Sequence, residues 1–294
     1  MLTAVFVATR IVANPVSNLL QKQLTQRGAN PLFIILATHA LLTLAVLPIA
    51  IDTPGQAAGF WVNIGFCAAL AVASNVLLVY ALQNSDLSVL GPINAYKSVI
   101  SLILGIFLIG EVPTLAGAAG VLLIVAGSYF VVDRDVHQPR RNAFAQFFRE
   151  RGVQLRFGAL GLSATEAIFL KKAILLSSPV TTFVFWSMLG LPVAAAAGFF
   201  LLRGRVKNEF LMLRRHRRTY VWLALATGAM QLTTLLAFGK LQVGYGLALF
   251  QLSTLISVIL GHHYFQEGQL RKRLAGSAIM AGGAALIVVF GHPR

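Results

Sequence analysis

Long apolar stretches alternate with short polar breaks along this chain, and the repeat length is that of a bilayer. Ten stretches come close to the ~20 apolar residues that a spanning helix needs. They cover 2–24, 31–51, 59–82, 87–110, 113–132, 157–176, 179–202, 220–239, 242–263 and 274–290. Helix breakers mark the joints: Gly28 to Pro31, Asp52 to Gly55, Asn84 to Asp86, Glu111 to Pro113, and Ser177 to Pro179. Most joints are short, so consecutive helices are expected to be antiparallel neighbours. Only the connections near 133–156 and 203–219 are long. The alternating ten-residue pattern of a membrane barrel does not occur, which leaves an all-α membrane protein as the fold class. Residues 2–24 carry neither a charged leader nor a small-residue cleavage site, and are read as a retained helix.

The pattern also repeats. A shift of 156 residues brings Ile100-Ser101 onto Ile256-Ser257, Ile103-Leu104-Gly105 onto Ile259-Leu260-Gly261, and Glu111 onto Glu267. The same shift brings Gly120 onto Gly276 and Gly127 onto Gly283. Each half then holds five helices. Five is odd, so the second half enters the membrane upside down. The expected architecture is ten transmembrane helices as two inverted five-helix repeats, 1–132 and 157–294, joined by a basic interfacial connection over 133–156. An inverted repeat places a binding site near the midplane between the halves and suits alternating access.

The stretch Pro92-Ile-Asn-Ala-Tyr-Lys-Ser, through Gly110-Glu111-Val-Pro-Thr to Gly120-Val-Leu-Leu-Ile-Val-Ala-Gly127, resembles the fourth and fifth helices of an EamA-type transporter of the drug/metabolite superfamily. Gln266-Glu267 and Gly276-Ser-Ala-Ile-Met-Ala-Gly-Gly283 are similar to the same signature in the second half. The resemblance implies a ten-helix carrier of small polar metabolites. Its cavity would be lined mainly by the first, third, fourth, sixth, eighth and ninth helices. One departure stands out: the first helix lacks the Trp-Gly pair common in that family and carries Arg10 and Asn14 instead.

Composition sharpens this reading. Apolar residues make up 57% of the 294 residues and charged ones 11%, against ~45–50% and ~25% in soluble chains. Mean hydropathy is +0.77. Yet 24 Lys and Arg face only 9 Asp and Glu, for a net charge of +15. One cysteine, Cys67, leaves no disulfide framework and no Cys-based metal site. Of the cations, 18 fall in the connections on the side opposite the termini and four on the side of the termini. The positive-inside rule puts those connections in the cytoplasm and the termini outside, whereas the family resemblance implies cytoplasmic termini. The basic stretches carry apolar neighbours: Phe144, Phe147 and Phe148 in one, and Phe210, Leu211 and Leu213 before Arg214 to Arg218 in the other. Such segments suit an anionic membrane surface, so lipids are the expected partners and nucleic acid is not.

The candidate chemistry lies in what the membrane makes costly. An ionisable group at the bilayer centre costs at least ~2.5–3.5 kcal/mol, so it faces the bundle interior or a wet cavity. Arg10, Lys97 and Glu166 lie well inside expected spans, two in one half and one in the other. Arg10, Asn14 and Asn18 are spaced i, i+4, i+8 and share one helix face, as Asn94, Lys97 and Ser101 do. Asn75 and Gln251 complete the expected substrate-binding set, with Tyr80, Trp186 and Gln231 as weaker candidates. Glu166 and His39 are the candidates for carrying a coupling proton; for His39, packing is the plainer reading. Glu111 and Glu267 are read as caps at helix ends. A net intramembrane charge of +1 favours an anionic or zwitterionic, amino-acid-like solute. No Walker pattern, phosphate loop, metal cluster or nucleophile–base pair is evident. The expectation is therefore a secondary carrier without cofactors, a monomer or weak dimer in a bacterial inner membrane. A flippase for a lipid-linked sugar and an intramembrane enzyme are the alternatives.

Overall fold

The computed structural model describes residues 2–85, 90, 93, 96–131, 150–202, 206–265 and 270–290. The expectations for Asn94, Gly91-Pro92, Gln266-Glu267 and the segment 140–149 lie outside these residues. The helices in order are α1 (Leu2–Gln26), α2 (Pro31–Ile51), α3 (Ala58–Asn84), α4 (Tyr96–Ile109), α5 (Leu115–Val131) and α6 (Arg151–Leu176). They continue with α7 (Pro179–Leu201), α8 (Val206–Arg215), α9 (Arg217–Phe238), α10 (Val243–Phe250), α11 (Ser253–Phe265) and α12 (Leu270–Phe290). Among the described residues there is no strand.

The breakers act as their chemistry dictates. Gly28 adopts φ +92°, and Ala29 N–H donates to Leu24 O at 3.1 Å while Gly28 N–H donates to Thr25 O at 2.9 Å. This left-handed cap ends α1 and turns the chain. Asn30 Oδ1 then accepts from Leu32 N–H at 2.9 Å, with Pro31 in the first turn of α2. Ser178 and Pro179 start α7 in the same way, Ser178 Oγ accepting from Thr181 N–H at 3.1 Å.

Among the described residues six helical stretches are long and apolar enough to cross a membrane: Leu2–Gln26, Pro31–Ile51, Ala58–Asn84, Pro179–Phe200, Arg217–Phe238 and Val243–Tyr264. Large apolar side chains such as Phe107, Leu115 and Phe199 are 79–92% exposed, which suits acyl chains rather than water. Helix α6 is long enough but carries Arg151, Arg156, Glu166, Lys171 and Lys172. It is instead packed inside, against α3 and α4.

Three boundaries differ from the sequence reading. Helix α6 begins at Arg151 rather than 157, so it absorbs the end of the stretch 133–156 that was expected as connection. The stretch 203–219 is not a plain loop, since it holds α8 and the start of α9. The expected helix 242–263 is interrupted at Gln251-Leu252. There Gln251, Leu252, Thr254 and Leu255 N–H groups donate to carbonyls three residues back, at 2.8–3.2 Å. This tight turn follows from no Pro or Gly. It is set by packing, and it keeps the two pieces in line because Gln251 retains helical dihedrals (φ −66°, ψ −18°).

The main helix pairs are α3 with α6, α5 with α12, α1 with α9, α2 with α7, and α4 with α10. Every one of these contacts joins the first five helices to the later ones. One end of the bundle carries α8, where Asn30 N–H donates to Glu209 at 3.0 Å and Phe33 meets Phe210 edge-on. At the opposite end Thr114 Oγ1 donates to Phe290 O at 2.9 Å.

Candidate functional site

Between these paired helices lies a cavity of about 100 Å3. Its wall comes from α1, α3, α4, α6, α7, α9 and α10, with Gln251 of the turn that follows. Those are the helices expected from the family resemblance, with α7 added through Trp186.

Helix α1 contributes the largest polar face. Arg10, Asn14 and Asn18 all line the cavity, as their spacing implies, and the stripe continues through Ser17 and Gln21. Arg10 is held from two sides: its Nε donates to Thr234 Oγ1 at 2.7 Å, and its guanidinium lies 5.1 Å from the centre of the Phe250 ring. Its Nη1 is buried and has no hydrogen-bond partner. Asn14 Nδ2 donates to Ser253 Oγ at 3.2 Å, and the Ser17 and Thr227 hydroxyls are 2.9 Å apart. Asn75 lines the wall from α3, its Nδ2 donating to Ala71 O at 2.8 Å. Gln251 does so beside α10, its Nε2 donating to Leu247 O at 3.1 Å.

Helix α6 brings Glu166, which is buried and whose Oε1 accepts from Trp186 Nε1 at 3.2 Å. Lys97 of α4 also lines the cavity and is attracted by Glu166, while Arg10 and Arg156 repel it. The expected opposite charges from the two halves thus face one space. Ser101, on the same face of α4, does not reach it; its Oγ donates to Ala164 O at 3.4 Å and serves packing.

One residue was misplaced by sequence reasoning. Arg156, counted among the cations of the connection, is buried in the cavity wall, its Nε donating to Leu90 O at 3.2 Å. It sits at the end of an Arg-rich stretch, so nothing in the local sequence set it apart from solvated cations. His39 stands one layer behind the wall: its Nδ1 is 3.2 Å from Ser187 O, and its ring lies 4.9 Å from that of Trp186. Of the weaker candidates, Trp186 and Gln231 line the cavity, whereas Tyr80 does not.

The two ends of the cavity differ. Toward the α8 end its wall is polar, with Gln21, Ser74 and Arg156. Toward the opposite end it is floored by Leu170, Phe238, Leu247 and Phe250. Below that floor Glu111 Oε2 accepts from Val243 N–H at 2.8 Å, and its Oε1 lies 3.6 Å from Lys171 Nζ. Lys171 in turn donates to Phe238 O at 2.5 Å and Leu241 O at 3.0 Å. Glu111 therefore caps α10, and the pair clamps the joint between α9 and α10.

The site is thus a polar, charge-lined cavity inside a bundle of apolar helices. Residues 4–133 match the EamA-like transporter family. The match covers the first half of the chain, where the motifs from Pro92 to Gly127 lie. That family is one of membrane transporters of the drug/metabolite type, and the long apolar helices mark this chain as an integral membrane protein. No curated protein matches the sequence. A solved structure described as "Crystal structure of protein" superposes with a TM-score of 0.69 at 14% identity, covering 98% of this chain and 97% of that one. At that identity it shows a shared fold and nothing about substrate.

Proposed function

We propose that this EamA-like protein is a secondary carrier in a bacterial inner membrane. It moves a small anionic or zwitterionic metabolite by alternating access. The observation that carries this reading is the cavity itself, which collects Arg10, Lys97, Arg156 and Glu166 where the helices of the two halves meet. A volume of about 100 Å3 is small beside the ~300–1,000 Å3 of drug-sized sites, so the solute is small.

Two features support alternating access. If α1–α5 correspond in order to α6, α7, α9, α10 and α12, the main helix pairs interchange consistently: α1–α9 becomes α3–α6, while α2–α7, α4–α10 and α5–α12 map onto themselves. That is what two inverted repeats would produce, with α8 as an addition to the second. The cavity is also asymmetric, apolar and clamped at one end and polar at the other, as expected of one state of a carrier that rocks between two. Glu166, flanked by Lys97 and Trp186, is the group best placed to carry a coupling proton, and His39 reaches the cavity only through Trp186.

The test is thermal stabilisation of the purified protein by amino acids, organic acids, sugars and nucleotides, followed by uptake of the stabilising class into proteoliposomes. One class should raise the melting temperature, and Lys97→Met should abolish both that shift and uptake. A wild-type protein indifferent to every class, or a Lys97→Met variant that responds as the wild type does, would overturn the reading.

A further inference from the structure

The charge balance of the cavity selects among solutes. We infer that the transported solute is a small dianion, such as a short dicarboxylate or a phosphomonoester, rather than a zwitterion. This rests on the carrier reading above.

Read from residues alone, the membrane holds two cations, Arg10 and Lys97, against the carboxylate of Glu166, a balance that an amino acid or a monoanion could satisfy. The fold adds Arg156 to the same wall. Among the described residues, the charged side chains lining the cavity are now Arg10, Lys97, Arg156 and Glu166, a net charge of +2 when all are ionised. An uncompensated charge held away from water costs several kcal/mol. A zwitterion leaves the +2 unchanged and a monoanion leaves one charge over. A dianion neutralises the site.

Hydrogen bonding points the same way. Arg10 is fixed by Thr234 and Phe250, yet its buried Nη1 lacks an acceptor. Gln231, three residues before Thr234 on α9, is also buried and lines the cavity with an unpartnered Nε2 donor. Two orphaned donors, set against one orphaned acceptor at Gln21 Oε1 in the same wall, leave a net demand for acceptor oxygens, because buried polar groups are otherwise paired. Arg156 enters from a different helix, anchored at its Nε by Leu90 O. Arginine binds carboxylate and phosphate oxygens through a planar fork, so the cavity presents two such forks. Glu166 does not cancel them, being engaged by Trp186 and attracted to Lys97.

The test uses the full-length protein in detergent at matched ionic strength, with succinate, its monoamide succinamate, glycerol 3-phosphate and glutamine as probes. Succinate and succinamate differ by one charge at nearly constant shape. Succinate or glycerol 3-phosphate should raise the melting temperature and exchange in proteoliposomes with an affinity at least about tenfold better than succinamate or glutamine. Whichever dianion is preferred tells a dicarboxylate site from a phosphate site. In Arg156→Gln the advantage of succinate over succinamate should fall by about tenfold, with succinamate itself little changed. Arg156→Lys should keep the preference at lower affinity, and it serves where Arg156→Gln does not fold. Stabilisation by glutamine or succinamate equal to that by the dianions would overturn the inference and leave the carrier reading standing. Loss of succinate and succinamate binding to the same degree in Arg156→Gln would do likewise. A protein that responds to none of the four probes would also overturn the inference, and the carrier reading falls with it only if the wider screen of amino acids, organic acids, sugars and nucleotides is silent too.

Discussion

The two halves of this chain meet along several helix pairs, two of which are built in opposite ways. Along α5 and α12 they touch through backbone. A Cβ on Gly120 would lie 2.7 Å from Gly283 O, and one on Gly283 would lie 2.6 Å from Gly120 O. One on Gly127 would lie 2.6 Å from Gly276 O. Ile124, Met280 and Ile287 close the rest of this seam. Along α1 and α9, by contrast, the halves are joined by side-chain hydrogen bonds such as Arg10 to Thr234 and Ser17 with Thr227. The first contact has no room to open. The second consists of polar groups whose bonds a solute or water can replace. Small residues thus bring the backbones together at one contact, and polar side chains join the halves at the other.

The largest effect is expected at the seam between α5 and α12. Gly283→Leu would drive a side chain into a backbone carbonyl that cannot move aside. Overpacking of this kind costs about 1–3 kcal/mol or more, and the variant should melt well below the wild type in detergent. Gly282→Leu is the matched control: a Cβ there meets nothing within 4 Å, so its melting temperature should stay near that of the wild type.

Arg10→Met should do the reverse on the other interface. Solute affinity and uptake should fall by about tenfold or more, whereas the melting temperature without solute should hold or rise, because a buried charge with an orphaned donor is removed. Equal losses of stability and affinity would mean that Arg10 is a strut like the seam glycines.

The smallest effect is expected at the clamp. Glu111→Gln removes the charge facing Lys171 and weakens the cap on Val243 N–H, at a cost of about 1 kcal/mol. Amide hydrogen exchange should rise at the joint between α9 and α10 and stay unchanged along the seam.

How much of this could be read from residues alone follows from the reach of each signal. The stripe of Arg10, Asn14 and Asn18 was legible because helical periodicity is local and polar residues stand out against an apolar background. Lys97 and Glu166 were legible for the same reason, since a charge within an apolar span has few places to go. Arg156 was not, because its neighbours Arg149 and Arg151 made it look like one more cation of a basic connection. The turn at Gln251-Leu252 carries no breaker and arises from the packing of α10 against α4. His39 has the residue type of a proton carrier, yet its distance from the cavity is set by Trp186, which belongs to another helix.

The amino-acid sequence alone marks an integral membrane protein whose first half resembles EamA-like transporters, and it picks out most of the polar residues that line the cavity. Apolar run length, breaker chemistry and the cost of charge in lipid are local constraints, and each acts on a short window of residues. The tertiary structure decided the rest: which charges share a cavity, which end of it is clamped, and that Arg156 raises the balance of the wall to +2. Those properties depend on contacts between residues far apart in the chain, such as Arg10 with Thr234 and Glu111 with Lys171, and no local pattern encodes them.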